Sequence, residues 1–439
     1  MGRQFNMIEF RSKWARLAVT LMFSGFISMG CSSSDGGGQA GSGGTAGTGG
    51  TAGSGGTGGD GGMGGMGGTP GPEARVIVAH GRTVRLLDVS GSTIVEVASA
   101  EIPAAGLLAG QQIFGAIQQA GQQRIYVGSA NDCSNSDDWC WGNGRIDRFT
   151  FTKTGIAYDG LAYEMNDAAF QADGISCAEG DEVDTGYTGQ EGYCAPGGLA
   201  FSPDGTRFYV DDDELDGVEI FSVDAGTGDL SFISEGGSTS VHGLGAHPNG
   251  PYLYNGTNIY NITGDMVVQL ADTNGGNDTE VVLAADSVAT TDLLVTTSNT
   301  DGLAIYDLTD PVSPVEVDTI DFTSEYPVRA QAHNADYSRF VVVGKDEVRT
   351  VSFDGTTLAL EDEVIAMVVD PIQNRDVAVT GDDGELAVVV YFGGGDGDPV
   401  EAGGAVLYGI NAADGVLTEL DTASYASGPG RVALSVIAE

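Results

Sequence analysis

An all-β fold of four-stranded units set in a ring, a seven-bladed β-propeller, is predicted by three features of this 439-residue chain. From residue 74 onward, short strands and Asp/Asn/Gly turns recur with a period of roughly forty-odd residues, the spacing of propeller blades. The strands are rich in β-branched and aromatic residues, which suit a pleated surface buried against neighbours. The first repeat lacks an innermost strand, and the last apolar segment has no partner in its own repeat.

Residues 1–30 read as a lipoprotein signal peptide. Arg3, Arg11, Lys13 and Arg16 precede the apolar run Leu17–Gly30, which is too short to span a bilayer comfortably but suits a signal-peptide core. Cys31 follows at once and resembles the lipidated cysteine of a bacterial lipobox, although Ser28 stands where Leu or Val is usual. The alternative is ordinary secretion with an earlier cut. Ser32 resembles the residue that permits sorting to an outer membrane, so an outer-membrane lipoprotein, periplasmic or surface-exposed, is expected. Residues 31–73 would then be the lipidated Cys31 and a disordered linker. Their Gly/Thr/Ser/Ala composition offers almost nothing to bury, and residues 35–72 would reach roughly 34 Å as a flexible coil. Gly-x-Gly-x-x-Gly matches inside this tract carry no phosphate-binding meaning, because no strand precedes them and no helix follows.

Residues 74–439 form the propeller. The second strands of the blades begin at Val76, Arg124, Arg207, Tyr252, Leu293, Arg339 and Leu386, and the third near Val84, Ile146, Val218, Ile259, Leu303, Val348 and Ala405. Ser202-Pro-Asp-Gly205, His247-Pro-Asn-Gly250, Asn334-Ala-Asp-Tyr-Ser338 and Gly381-Asp-Asp-Gly384 are the turns between first and second strands, where Asp or Asn supplies a local hydrogen bond and Gly tolerates positive φ. Pairing Pro429–Ala438 with Val76–His80 would complete the first blade and hide two strand edges. The small residues of Gly197-Gly-Leu-Ala, Gly243-Leu-Gly-Ala and Val432-Ala-Leu-Ser suit crowded innermost strands.

The precursor carries 62 acidic and 18 basic residues, a formal charge of −44. Nucleic acid is a poor partner for such a surface. An anionic leaflet would repel it too, so membrane attachment would rest on the lipid alone. An acidic surface kept for solubility is the simplest reading; calcium at Asp211-Asp-Asp-Glu-Leu-Asp216 is the alternative, although the spaced Asp-x-Asp-x-Asp-Gly loop is missing. No metal site and no cofactor are expected, since four scattered histidines make no metal centre. Nucleophile-elbow, zinc-protease and Walker motifs are absent. A monomer is expected.

Beyond Cys31, the chain has Cys133, Cys140, Cys177 and Cys194, an even number that favours disulfides in an exported protein. Three connectivities are open, and proximity favours Cys133–Cys140 with Cys177–Cys194. The second would close a loop of about fifteen residues, worth roughly 3 kcal/mol. These cysteines pin two insertions, Ser129–Gly144 and Asn166–Tyr193, on one face of the ring, which marks that face as the candidate functional one. Trp139 and Trp141 lie there and could stack on a sugar or anchor a protein; capping the propeller is the structural alternative. At the mouth of the axial channel, the starts of the innermost strands bring His242, Glu280, Arg329, Arg375 and Arg431, with Glu325 and Asn374 nearby. Arginines converging in so acidic a chain suggest a carboxylate or phosphate site; neutralising nearby aspartates is the plain alternative. His80, His247 and His333 read as structural.

Gly197-Gly-Leu-Ala-Phe-Ser-Pro-Asp-Gly-Thr-Arg-Phe-Tyr-Val210, with Val218-Glu-Ile-Phe-Ser-Val-Asp224 after it, resembles a blade of the lactonase-type propellers. That group includes bacterial 6-phosphogluconolactonase and YVTN-repeat surface proteins. Leu303-Ala-Ile-Tyr-Asp-Leu-Thr-Asp-Pro-Val-Ser-Pro-Val315 resembles the LVIVD repeat of surface propellers. The lactonase resemblance implies metal-independent hydrolysis of a sugar-acid lactone, with His242 as base or orienter and Arg329, Arg375 and Arg431 as anion holders. The Pro-His-x-His stretch of that family is absent, and a sugar phosphate is a cytosolic metabolite. The function expected is therefore an exported, membrane-anchored propeller binding a protein, glycan or small anionic ligand on its disulfide-bearing face. A lactone hydrolase and a passive cell-surface protein are the alternatives, so whether the chain is an enzyme is open at this stage.

Overall fold

Alternation along each strand decides this architecture, because successive side chains leave a sheet on opposite faces. Val76 and Val78 pack toward one neighbouring blade, while Ile77 and Ala79 pack toward the other. Blades that bury both faces in this way must stand in a ring. The computed structural model describes residues 74–439 except 104–110, 133–140, 165–195, 213–216, 237–242, 256–257, 272–283, 291, 299–301, 323–329, 345–346, 366–371, 382–383, 394–402, 426–429 and 437–439.

Seven four-stranded antiparallel sheets result. Blade 1 holds β1 (Arg75–His80), β2 (Thr83–Gly91) and β3 (Thr93–Glu101). Blade 2 holds β4 (Gln111–Gln118), β5 (Arg124–Asp132), β6 (Trp141–Thr152) and β7 (Gly155–Glu164). Blade 3 follows with β8 (Pro196–Phe201), β9 (Arg207–Asp212), β10 (Gly217–Val223) and β11 (Leu230–Gly236). Blade 4 has β12 (Leu244–Ala246), β13 (Tyr252–Asn255), β14 (Asn258–Ile262) and β15 (Val267–Ala271). In blade 5 the strands are β16 (Ala284–Ala289), β17 (Leu293–Ser298), β18 (Gly302–Asp307) and β19 (Val315–Ile320). Blade 6 comprises β20 (Ala330–His333), β21 (Arg339–Val343), β22 (Glu347–Phe353) and β23 (Leu358–Ile365). Blade 7 comprises β24 (Ile372–Thr380), β25 (Leu386–Gly393), β26 (Gly403–Ile410) and β27 (Leu417–Tyr425).

The ring closes as the unpartnered ends require. The last strand, β28 (Gly430–Val436), is the innermost strand of blade 1 and pairs antiparallel with β1, with Val76 opposite Ser435 and Ile77 opposite Leu434. One expectation is refined. The insertion placed at Ser129–Gly144 is shorter, because the hairpin arms continue past a bulge and pair Asn131 with Gly142 and Asp132 with Trp141.

The described core is divided into seven apolar clusters, one at each seam between consecutive blades. Phe208, fully buried in the seam of blades 2 and 3, contributes roughly 1.5–3 kcal/mol by leaving water. Near the axis the backbones themselves approach. A Cβ on Gly198 of β8 would stand 2.8 Å from the Leu244 nitrogen at the start of β12, so only glycine fits there.

Polar brackets repeat at the seams. Asp318, Asp362 and Asp421 sit on the outer strands of blades 5, 6 and 7. Each accepts the backbone N–H of Leu358, Leu417 or Ile94 in the outer strand of the next blade, at 2.7, 2.8 and 2.7 Å. Elsewhere a second-strand side chain reaches the outer hairpin of the next blade. Tyr126 Oη donates to the Gly228 carbonyl, Tyr254 Oη donates to the Pro311 carbonyl, and Arg207 holds Asp265 bidentately. Each carbonyl or carboxylate so used is one fewer unsatisfied polar group in a packed seam.

Candidate functional site

Innermost strands decide what faces the axis, and their starts carry a shared irregularity. In β24, Asn374 pairs with Tyr391 and Asp376 with Val390, so Arg375 is an extra, bulged residue. In β28, Gly430 pairs with His80 and Val432 with Ala79, so Arg431 is bulged as well. The same place is bulged at Phe114 in blade 2, at Gly197–Gly198 in blade 3 and at Ala285 in blade 5. A bulge kinks its strand and re-aims side chains, and is enriched beside functional sites. Because β24 and β28 lie against each other around the ring, the two arginine bulges are consecutive.

Behind them, the seam of blades 7 and 1 holds a buried polar packet. His80, the register partner of Gly430, is fully buried and donates Nε2–H to the Gly404 carbonyl at 3.2 Å. Its ring centroid lies 4.7 Å from that of Tyr425, and the Arg85 guanidinium sits 4.3 Å from the same Tyr425 ring. Burial first, and the Arg85 charge second, push the His80 imidazole down to about 3, so it is neutral at physiological pH. Burial pushes the Tyr425 phenol up to about 12. A Cβ on Gly403 would stand 2.9 Å from the His80 ring, so the imidazole is wedged against backbone. This packet gives the Arg431 bulge a rigid backing.

A second buried polar group lies across the ring, between blades 3 and 4. Asp211 is the second-strand residue opposite the Gly197–Gly198 bulge. It is fully buried and accepts from Asn255 Nδ2 at 2.7 Å. Asn258, the hairpin partner of Asn255, is buried beside it. Of the acidic run Asp211–Asp216, residues 213–216 lie outside the described residues. Among the described residues, no group of three or more His, Cys, Asp or Glu side chains could hold a metal ion.

The sequence-predicted residues divide accordingly. The backbones of Arg375, Arg431 and Asn374 are placed at the starts of innermost strands, and that of Trp141 at the first residue of β6. His242, Glu280, Arg329, Glu325, Trp139, Cys31, Cys133, Cys140, Cys177 and Cys194 lie outside the described residues. His247 opens the turn after β12, but the expected equivalence with His333 does not hold, because Asn334 opens the matching turn and His333 is the last residue of β20. His247 Nδ1 accepts the Asn249 N–H at 3.1 Å, and His333 stacks on Tyr337 with centroids 4.0 Å apart. Sequence reasoning missed the bulges and the His80 packet, since both depend on which residue stands opposite.

Among solved structures, the periplasmic gluconolactonase PpgL of Pseudomonas aeruginosa is similar at 13% identity, with a TM-score of 0.55, covering 83% of this chain and 99% of that one. A Bacteroides fragilis protein carrying a provisional 6-phosphogluconolactonase name matches at 14% identity and TM-score 0.43, over 71% of this chain and 81% of its own. A protein of unknown function from Desulfotomaculum acetoxidans matches at 9% identity and TM-score 0.46, over 81% and 99%. No protein-family model matches the chain, and no curated protein matches it. The fold is a seven-bladed β-propeller, and a gluconolactonase is among its structural neighbours.

Proposed function

We propose that this chain is an exported, lipid-anchored propeller that binds a small carboxylate- or phosphate-bearing ligand at the axial mouth where the innermost strands begin. The observation that carries the reading is the placement of Arg375 and Arg431 at equivalent bulges of adjoining innermost strands. Two arginines at those backbone positions would offer guanidinium forks to an anion that the rest of so acidic a chain would repel. Arg329 and His242 precede other innermost strands and would join the same mouth. Trp141, at the start of β6, and the connections whose sequence carries Trp139 and the four cysteines would rim the site.

Lactone hydrolysis is the second reading, favoured by the whole-length likeness to a gluconolactonase described as periplasmic. That location fits an exported chain, and a neutral sugar lactone avoids the difficulty of a cytosolic sugar phosphate. A water deprotonated by His242 would add to the lactone carbonyl, the ring C–O bond would break, and the proton would pass to the departing alkoxide. The arginines would hold the oxyanion.

The two readings separate in one experiment. Full-length chain is offered glucono-δ-lactone for turnover, and gluconate and 6-phosphogluconate for equilibrium binding. Binding without turnover, lost in Arg375→Ala and Arg431→Ala, supports the binder. Turnover lost in those variants and in His242→Ala supports the hydrolase. Neither binding nor turnover with any of the three compounds removes both.

A further inference from the structure

Outer strands of propeller blades are sheet edges, and proteins guard such edges with charge. Six of the seven outer strands here carry carboxylates: β3 has Glu96 and Glu101, β7 has Asp159 and Glu164, and β11 has Glu235. Strands β19, β23 and β27 carry two or three each. The exception is β15, Val267-Val-Gln-Leu-Ala271, which has no charged residue. Its outward positions are apolar instead. Val268 is 50% exposed and Leu270 44%, and Met266, just before the strand, is 61% exposed. Asp265, just ahead of it, is already neutralised by Arg207 at 2.7 Å.

We infer that β15 is a docking edge for a second copy of this chain, joined by antiparallel pairing about a two-fold axis at Val268. In that register Val268 meets its own copy and Met266 falls opposite Leu270, the bulged residue of β15, so the exposed apolar side chains gather about the two-fold axis. Asp265 falls opposite Ala271, and no carboxylate faces a carboxylate. The same operation on any other outer strand with paired acids does the reverse. In β23 it would set Asp362 against Asp362 and Glu361 against Glu363. In β19 it would set Glu316 against Asp318, and in β27 Glu419 against Asp421. Like charges directly opposite destabilise a strand pair. Self-pairing is therefore compatible with β15 in a way that those edges forbid. A dimer departs from the monomer expected at the outset. The long-range repulsion between two chains of formal charge −44 weakens as salt shortens the screening length, so the contact should tighten with salt.

Sedimentation velocity of the full chain tests this, at 50 and 500 mM NaCl and chain concentrations up to about 100 µM, where a small interface would be populated. The expected result is a monomer–dimer equilibrium whose dimer fraction rises with salt. Val268→Asp, at a half-exposed site, should return the chain to monomer by placing a carboxylate against its own copy. Leu360→Asp on β23, with similar exposure at 46%, should leave the dimer intact. A wild-type chain that stays monomeric throughout, or a dimer that survives Val268→Asp, overturns the proposal.

Discussion

Ile77 lies directly opposite Leu434, so the first described strand and the last belong to one sheet. Every other blade is built from consecutive strands, which leaves this non-local pairing as the clasp of the ring. Truncation after Pro429 would remove the innermost strand of blade 1 and expose β1 along its whole edge. The cooperative thermal transition should broaden or fall by more than about 10 °C. Circular dichroism melting checks this, and a midpoint within about 2 °C of wild type would contradict it.

Asp421 ties blade 7 to blade 1 through the Ile94 N–H, and Asp362 ties blade 6 to blade 7 through Leu417. Replacing either by Ala strands a part-buried donor, at a cost of about 1–2 kcal/mol. Because the brackets serve different seams, the double variant should lose about the sum of the two single losses. Urea unfolding measures all three.

His80 makes stability depend on pH. Its folded value is lowered from the ordinary 6.5 to about 3, so the unfolded chain binds the proton more readily. Stability is therefore full above about pH 6.5 and declines as pH falls toward 3. Between pH 7 and 5 the expected loss from this group is about 2 kcal/mol. His333 is lowered by burial too and adds a part in the same direction. His80→Gln should remove most of that slope while keeping a donor for the Gly404 carbonyl. Chemical denaturation at pH 7, 6 and 5 reads it, and an unchanged slope in the variant would contradict a buried neutral imidazole.

Tyr337 adopts φ +59°, in the turn position where Ser202-Pro-Asp-Gly205 has Gly205 at +67°. A left-handed tyrosine costs roughly 1–2 kcal/mol, and its stack on His333 offsets that cost. Tyr337→Gly should be near neutral, within about 1 kcal/mol. Tyr337→Ala keeps the strain and loses the stack, so it should destabilise by about 1–2 kcal/mol. Comparing the two denaturation midpoints isolates the backbone contribution.

How much of this was legible in the sequence follows from what each feature depends on. Strand identity rests on local composition and turn chemistry, so the second strands beginning near Val76, Arg124, Arg207 and Arg339 could be aligned by eye. The closure was legible because an unpaired end and a missing strand imply one another. The starts of the innermost strands were legible in the same way, which is why Arg375 and Arg431 could be named. Their bulges were not, since an extra residue is defined only by the two partners that flank it, Tyr391 with Val390 and His80 with Ala79. The His80 packet was hidden for a related reason: Gly403 and Tyr425 reach it from β26 and β27, near the other end of the chain. The charge-free edge of β15 was in plain view as letters, but it meant nothing until the strand was known to be an outer one.

A crystal structure of the chain with 6-phosphogluconate bound tests the central claim most directly. The account predicts an anionic group of the ligand at the axial mouth, within hydrogen-bond distance of both the Arg375 and Arg431 guanidiniums. A ligand bound elsewhere, or guanidiniums more than about 15 Å apart, too far for one small anion to touch both, would contradict it.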